Sequence, residues 1–157
     1  MTVKLPPFQS LLDAHRADVY RFLVATAGPA EADDAFQETW IAALRAYPGL
    51  RSADNLRAWL FRIAQNKSID AHRARGRRAV PVAAVPERPS AASADDDPEL
   101  WARVRELPDK QRTAVFCRSV LGMEYDELAA LLESSEDAAR RNVHEGLKRL
   151  REELTND

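Results

Sequence analysis

Asp33, Asp34, Gln37 and Glu38 crowd into the run EADDAFQETW, and they are the nearest thing in this chain to paired catalytic carboxylates. Acid–base catalysis needs a proton-transfer partner held within reach, and covalent catalysis needs a nucleophile beside a base. Neither accompanies these acids. His15, His72 and His144 are far apart and lack metal-ligand spacing, and the single Cys117 lies in the apolar helical run AVFCRSVL. No glycine-rich loop of the phosphate-cradling kind occurs. The residues therefore argue against an enzyme and call for no cofactor and no metal. The acidic run is either a solvated face or a docking surface for a basic partner, with Phe36 and Trp40 turned inward.

The opposite charge is concentrated in residues 55–78, NLRAWLFRIAQNKSIDAHRARGRR, where seven Lys/Arg face one acid, Asp70. That local +6 sits in a chain of net charge −2, so the remainder sums to −8. Cations with interleaved aromatics suit a polyanion whose bases can stack, which makes nucleic acid the expected partner. On a helical projection Leu56, Leu60 and Ile63 form the buried side, with Trp59 at its edge. Phe61, Gln65, Ser68 and His72 fall roughly opposite, flanked by Arg57 and Arg75, while Arg62 and Arg73 lie toward Trp59 and Asn66. An outward Phe61 beside amide and hydroxyl groups is expected to stack on bases and bond their edges, and Arg73, Arg75, Arg77 and Arg78 to contact phosphates. Two other readings compete: Phe61 meets another helix, or the arginines grip an acidic protein.

A second polar face closes the chain. At 100° per residue Ala139, Val143, Leu147, Leu150 and Leu154 share one side of the last helix, and Asp137, Arg140, Arg141, His144, Lys148 and Arg151 the other. The first set is expected to pack inward. The second, unless merely solvated, suits a major groove, where Arg and Lys read guanine edges or bind phosphate. Gly146 costs about 1 kcal/mol relative to Ala in a helix, so close packing is its expected reason.

These faces must be held by helices, since no segment shows sustained strand alternation. Apolar stripes run through Leu12, His15, Val19, Phe22 and Leu23 up to Gly28-Pro29, then through Phe36, Trp40, Ala43 and Tyr47 up to Pro48-Gly49. Shorter elements follow at about 99–106, 109–121, 124–133 and 135–153, with Ser134-Ser135 offering an N-cap for the last. Two helices around a tight turn, the second basic on one face, describe a helix-turn-helix. Between the blocks, residues 79–98 hold four prolines and the acidic triplet Asp95–Asp97, the composition of a flexible linker. Extended at about 3.1 Å per residue, that linker reaches roughly 60 Å. The expected fold is all-α: two small helical domains, 5–78 and 99–154, joined by 79–98, the second with a helix-turn-helix. With 157 residues, 45% hydrophobic and 31% charged, the chain can fill such cores. No apolar run approaches the roughly 20 residues of a membrane span, and the start lacks a signal-peptide core, so a cytoplasmic protein with no membrane insertion is expected.

Taken together, the motifs resemble those of bacterial RNA polymerase sigma factors of the extracytoplasmic function (ECF) group, sigma-70 family, over nearly the whole chain. DDAFQETW is similar to the family segment that binds the clamp coiled coil of the polymerase core. NLRAWLFRIAQNKSID resembles the segment that recognises and melts the −10 promoter element, and LPDKQRTAVFCRSVLGMEYDELAALLESSEDAARRNVHEGLKRL the −35-binding helix-turn-helix. The resemblance implies a factor that directs promoter-specific transcription initiation, with core polymerase (the β′ clamp coiled coil and the β flap), promoter DNA and an anti-sigma factor as partners. It implies core contacts by Asp33, Asp34, Gln37, Glu38 and Trp40, and −10 contacts by Asn55, Arg57, Trp59, Phe61, Arg62, Gln65, Asn66 and Arg73. For the −35 duplex it implies Ser135, Arg140, Arg141, His144 and Lys148. The chain departs from the family where Glu133-Ser134 replaces a frequent Gly-Cys turn, at Asp137 and Asn142, and in having Trp59-Leu60 where housekeeping relatives carry two tryptophans. A stand-alone helix-turn-helix regulator and a protein-interaction adaptor are the competing functions.

Overall fold

A computed structural model describes residues 4–78 and 97–155. The linker expected over 79–98 lies outside the described residues except for Asp97 and Pro98. Every regular element among the described residues is helical: α1 (Phe8–Ala27), α2 (Pro29–Ala46), a 3-10 turn (Tyr47–Gly49), α3 (Leu56–Arg78), α4 (Pro98–Arg105), α5 (Asp109–Ser119), α6 (Tyr125–Leu132) and α7 (Glu136–Thr155).

The breaks fall where backbone chemistry requires them. Gly28 has φ 96°, a conformation L-residues rarely adopt, and its N–H still caps the Val24 carbonyl at 3.1 Å. Pro29 then opens α2 at a position where its missing N–H costs nothing. Asp97 caps α4 by accepting from the N–H groups of Glu99 (3.0 Å) and Leu100 (3.4 Å). The bend from α4 to α5 is stapled by Arg112, which is 2% exposed. Its guanidinium donates to the Leu107 carbonyl at 2.9 Å and to Asp109 at 2.7 Å. A buried cation is tolerated there because both its charge and its donors are met.

α1, α2 and α3 pack as a three-helix unit, and α4–α7 form the second. The second unit does not stand apart from the first. Phe22 of α1 meets Phe61 of α3 edge-on at 5.5 Å on one side and Phe116 of α5 at 5.5 Å on the other, and Trp101 of α4 leans on Phe116 at 5.9 Å. One buried cluster therefore runs through α1, α2, α3, α5, α6 and α7. A smaller one, Val104, Leu107, Val115 and Leu150, ties α4 and α5 to α7.

Two sequence expectations fail here for one reason, that a projection assigns each helix a single inward side. Phe61, Gln65 and Ser68 were expected to face outward, but Phe61 is wholly buried, Gln65 is 7% exposed and Ser68 2%. α3 has helices against both sides, so Leu60 points into one contact and Phe61 into another. Ser68 donates to the Thr26 hydroxyl at 2.8 Å, and Thr26 to the Phe22 carbonyl at 2.7 Å, so this polar pair is satisfied in the core. On α7 the error is reversed: Leu147 and Leu154, expected to pack inward, are 38% and 45% exposed.

The close approach of α7 to α5 is permitted by Gly146. A Cβ there would meet Val115 Cγ2 at 2.5 Å and Gln111 at 3.4 Å. Gly146→Ala should therefore destabilise by about 1–3 kcal/mol despite the better helix propensity of alanine. In a Val115→Ala background most of that cost should vanish. Urea melts of the two singles and the double read the coupling directly; equal costs in both backgrounds would refute the contact.

Candidate nucleic-acid and protein interfaces

The acidic run lies on α2 with its inner side fixed by aromatics. Trp40 is buried, edge-on to Phe8 at 5.9 Å and to Phe36 at 6.2 Å, and Phe36 packs on Tyr20 at 5.5 Å. Asp34, Gln37 and Glu38 are exposed, whereas Asp33 is half-buried and accepts the Tyr20 hydroxyl at 2.9 Å. The same outer row continues into Ile41 and Leu44, 50% and 56% exposed. Sequence reasoning missed these two. The signal was available, since both fall outside the Phe36–Trp40–Ala43 stripe and are large apolar groups at solvent positions.

On α3 the structure brings together only part of the expected set. Asn55 is exposed at the helix start with φ 58°, a left-handed conformation that Asn tolerates, and its carbonyl accepts the Trp59 N–H at 3.0 Å. Trp59 is half-buried, 6.1 Å from the Tyr47 ring. Asn66 is exposed and lines a cleft of about 420 Å³ between α3 and the second unit, with Arg62, Ile69, Asp109 and Glu133 on its other walls. Phe61 is withdrawn from any ligand by its burial, whereas Gln65, though largely buried, also lines this cleft.

Arg57, Arg62 and Arg73 of this helix face the second unit. Arg57 makes a two-pronged pair with Glu127 of α6, its Nε at 2.6 Å from one carboxylate oxygen and its Nη2 on the other. Arg62 donates to the Ala130 carbonyl at 2.7 Å and lies 3.6 Å from Glu133, and Arg73 lies 3.7 Å from Asp109. Both half-buried histidines line this seam. Burial, then Arg57, holds His15 below the usual histidine pKa against the opposing pull of Asp18 and Glu127. Burial, then Arg112, does the same to His72, with Arg75 and Arg105 adding to it and Asp109 opposing. Arg105 is lowered by burial and by the neighbouring Arg75. Cys117 is wholly buried, and burial pushes its thiol pKa far up.

The last helix is presented by a tight turn. Glu133 ends α6 in the left-handed region (φ 54°), a place usually taken by Gly or Asn. Ser135 then caps α7, its hydroxyl oxygen accepting the Ala138 N–H at 3.0 Å. Arg140, Arg141, His144 and Lys148 are all exposed on one flank. Arg140 lies over the Tyr125 ring, 4.6 Å from its centre, which fixes it relative to the turn. Asn142 turns back to donate to the Ala138 carbonyl at 3.1 Å. Among the described residues no group of three or more His, Cys, Asp or Glu is arranged to hold a metal ion. No helix among them is long and apolar enough to cross a membrane.

Comparison with known proteins assigns both units. Residues 11–78 match the family model for sigma-70 region 2, and residues 98–150 that for sigma-70 region 4. The ECF RNA polymerase sigma factor SigD of Mycobacterium tuberculosis is 37% identical over 164 residues, covering 93% of this chain and 76% of SigD. The chain belongs to the ECF sigma factors. CarQ, an RNA polymerase sigma factor of Myxococcus xanthus, is 29% identical over 94% of this chain and 88% of its own. In fold the chain is similar to the sigma factor RpoE in complex with the anti-sigma factor NepR from Bartonella quintana, with a TM-score of 0.76, 24% identity and coverage of 96% and 98%. It is also similar to CnrH in complex with the cytosolic domain of CnrY, with a TM-score of 0.72, 24% identity and coverage of 96% and 88%.

The two histidines give this ECF factor a pH signature. Their folded pKa values lie below the unfolded 6.5, so the folded chain binds fewer protons, and stability is full above that value and lost as pH falls through it. The melting temperature should therefore fall between pH 7.5 and 5.5, and a His15→Gln/His72→Gln variant should show a flatter profile over that window. An unchanged profile would assign the loss to other groups.

Proposed function

We propose that this chain is a promoter-specificity subunit that binds core RNA polymerase and directs transcription initiation through −10 and −35 recognition, with no catalytic activity of its own, in the cytoplasm. The observation that carries the reading is the pairing of region 2 and region 4 in one chain with a capped helix-turn-helix whose basic flank is open to solvent. Arg140, Arg141, His144 and Lys148 would meet the −35 duplex, with Ser135 placing the helix N-terminus near a phosphate. Asp34, Gln37 and Glu38 would dock on the β′ clamp coiled coil together with Ile41 and Leu44, with Asp33 and Trp40 holding the face in shape. Region 4 would contact the β flap.

The −10 set in this reading is Asn55, Arg57, Trp59, Arg62, Gln65, Asn66 and Arg73, without the wholly buried Phe61. Holding a base out of the stack costs a few kcal/mol, which these contacts must offset. An anti-sigma factor is a further expected partner, in keeping with the sigma factor RpoE of similar fold, captured with the anti-sigma factor NepR. The division at 5–78 and 99–154 with a connecting 79–98 belongs to the same reading, and the helix bounds on either side support it. The exposed acidic and apolar row on α2 favours this function over a stand-alone regulator, which has no use for it.

In-vitro transcription with core polymerase, with and without the protein, should yield promoter-dependent transcripts from genomic templates. Asp34→Lys/Glu38→Lys should abolish core binding. Arg140→Ala should cost about 1–3 kcal/mol in −35 affinity. Asn66→Ala should impair promoter opening while leaving −35 binding intact. No transcript and no core binding would sink the assignment; normal opening by Asn66→Ala would remove that residue from it.

A further inference from the structure

The arginines withdrawn from water are answered by carbonyls or carboxylates, Arg105 excepted. Arg112 gathers the Leu107 carbonyl and Asp109, Arg57 holds Glu127, and Arg118 donates to the Met123 carbonyl at 2.9 Å. Arg105, the last residue of α4, is half-buried, yet its guanidinium has no hydrogen-bond or ion-pair partner among the described residues, and neither has that of the exposed Arg75 on α3. The two nonetheless lie together. A Cβ on Gly28, in the turn between α1 and α2, would fall 3.0 Å from Arg75 Nη1 and 3.8 Å from Arg105 Nε. Both guanidinium groups therefore converge on the space this glycine leaves free. Burial, then the charge of Arg75, disfavours the cationic form of Arg105. His72 stands in the same field, with Arg112, Arg75 and Arg105 opposing a further proton. Asp109 favours one but is already held by Arg112 at 2.7 Å and lies 3.7 Å from Arg73.

Two like charges drawn together out of bulk water, with no acid between them, cost free energy that a bound anion offsets. We infer that Gly28, Arg75 and Arg105 form a binding site for the phosphate group of a small molecule, which ties the α1–α2 turn and α3 to α4. Two guanidinium forks can each face a different edge of one tetrahedral oxyanion. Their two positive charges match inorganic phosphate or a phosphate monoester, close to doubly charged at neutral pH, better than a singly charged carboxylate or phosphodiester. Glycine suits position 28 twice over: it adopts φ 96° without strain, and any side chain there would enter the space of the ligand. The site lies outside the −10, −35 and core-binding sets. Its occupancy needs neither polymerase nor DNA, so the stability of the free chain should follow the supply of phosphate.

Inorganic phosphate is the probe, added to the free full-length protein. Calorimetry should give one site per chain. At about ten times its dissociation constant, phosphate should raise the melting temperature by about 4 °C over sodium chloride of equal ionic strength. Arg105→Gln should lose that rise and yet melt no lower than the parent chain in phosphate-free buffer, since it removes a half-buried charge that lacks a partner. An arginine with only a structural role would lose stability in both buffers. Arg75→Gln, at an exposed position, should lose the rise as well. By NMR, phosphate should raise the pKa of His72 and leave that of the exposed His144 in place. Adenosine monophosphate distinguishes the sources: tighter binding than phosphate supports a phosphorylated metabolite, and equal or weaker binding supports the free ion. A rise no larger than that given by chloride, or one retained by Arg105→Gln, overturns the site. A rise given by mixed-sequence single-stranded DNA and by neither small phosphate also overturns it, and returns Arg75 to the promoter strand.

Discussion

The position of α3 between two sets of helices decides most of what this molecule can do. Phe22 stands between Phe61 and Phe116, so the ring of α1 that seals region 2 also receives region 4. Aromatic contacts of this kind are worth about 0.5–1.5 kcal/mol beyond the area they bury. Here they also set the geometry, because fixing α5 on α1 brings α6 alongside α3. Once α6 is there, the pairing of Arg57 with Glu127 and of Arg62 with Ala130 follows from side-chain reach.

The polar contacts along the seam are of a different kind from its apolar floor. Arg57 and Glu127 keep part of their side chains in water, as do Arg62 and Glu133, and such pairs contribute about 1 kcal/mol or less each. Their importance lies in specificity. They determine which groups of α3 are satisfied from within, and they put His15 and His72 among arginines that disfavour a further proton. The apolar floor, with Phe22 against Phe116, carries the packing of the two units, and the polar contacts set its register.

Much of this was legible in the sequence. Helix breaks at Gly28-Pro29 and at Pro48-Gly49, the Ser135 cap and the close packing of Gly146 follow from local chemistry that tertiary context does not overrule. The exposed flank of α7 was legible because its charged residues gather on one face of the helix. α3 was not, since its sequence near Phe61, Gln65 and Ser68 alternates between two contacts and a projection recognises one. Arg112 was also passed over: a cation in the first turn of a helix reads as solvated until the carbonyls it gathers are known. Ile41 and Leu44 were missed although they fall outside the Phe36–Trp40–Ala43 stripe, because only the acidic residues of that outer side were considered.

The placement of Cys117 has a chemical consequence. Its sulfur lies in the seam, wholly buried, with ionisation strongly disfavoured. Thiol–disulfide exchange requires the thiolate and an approach path, and the closed chain supplies neither. A disulfide between two copies through Cys117 therefore requires the packing around that sulfur to open first.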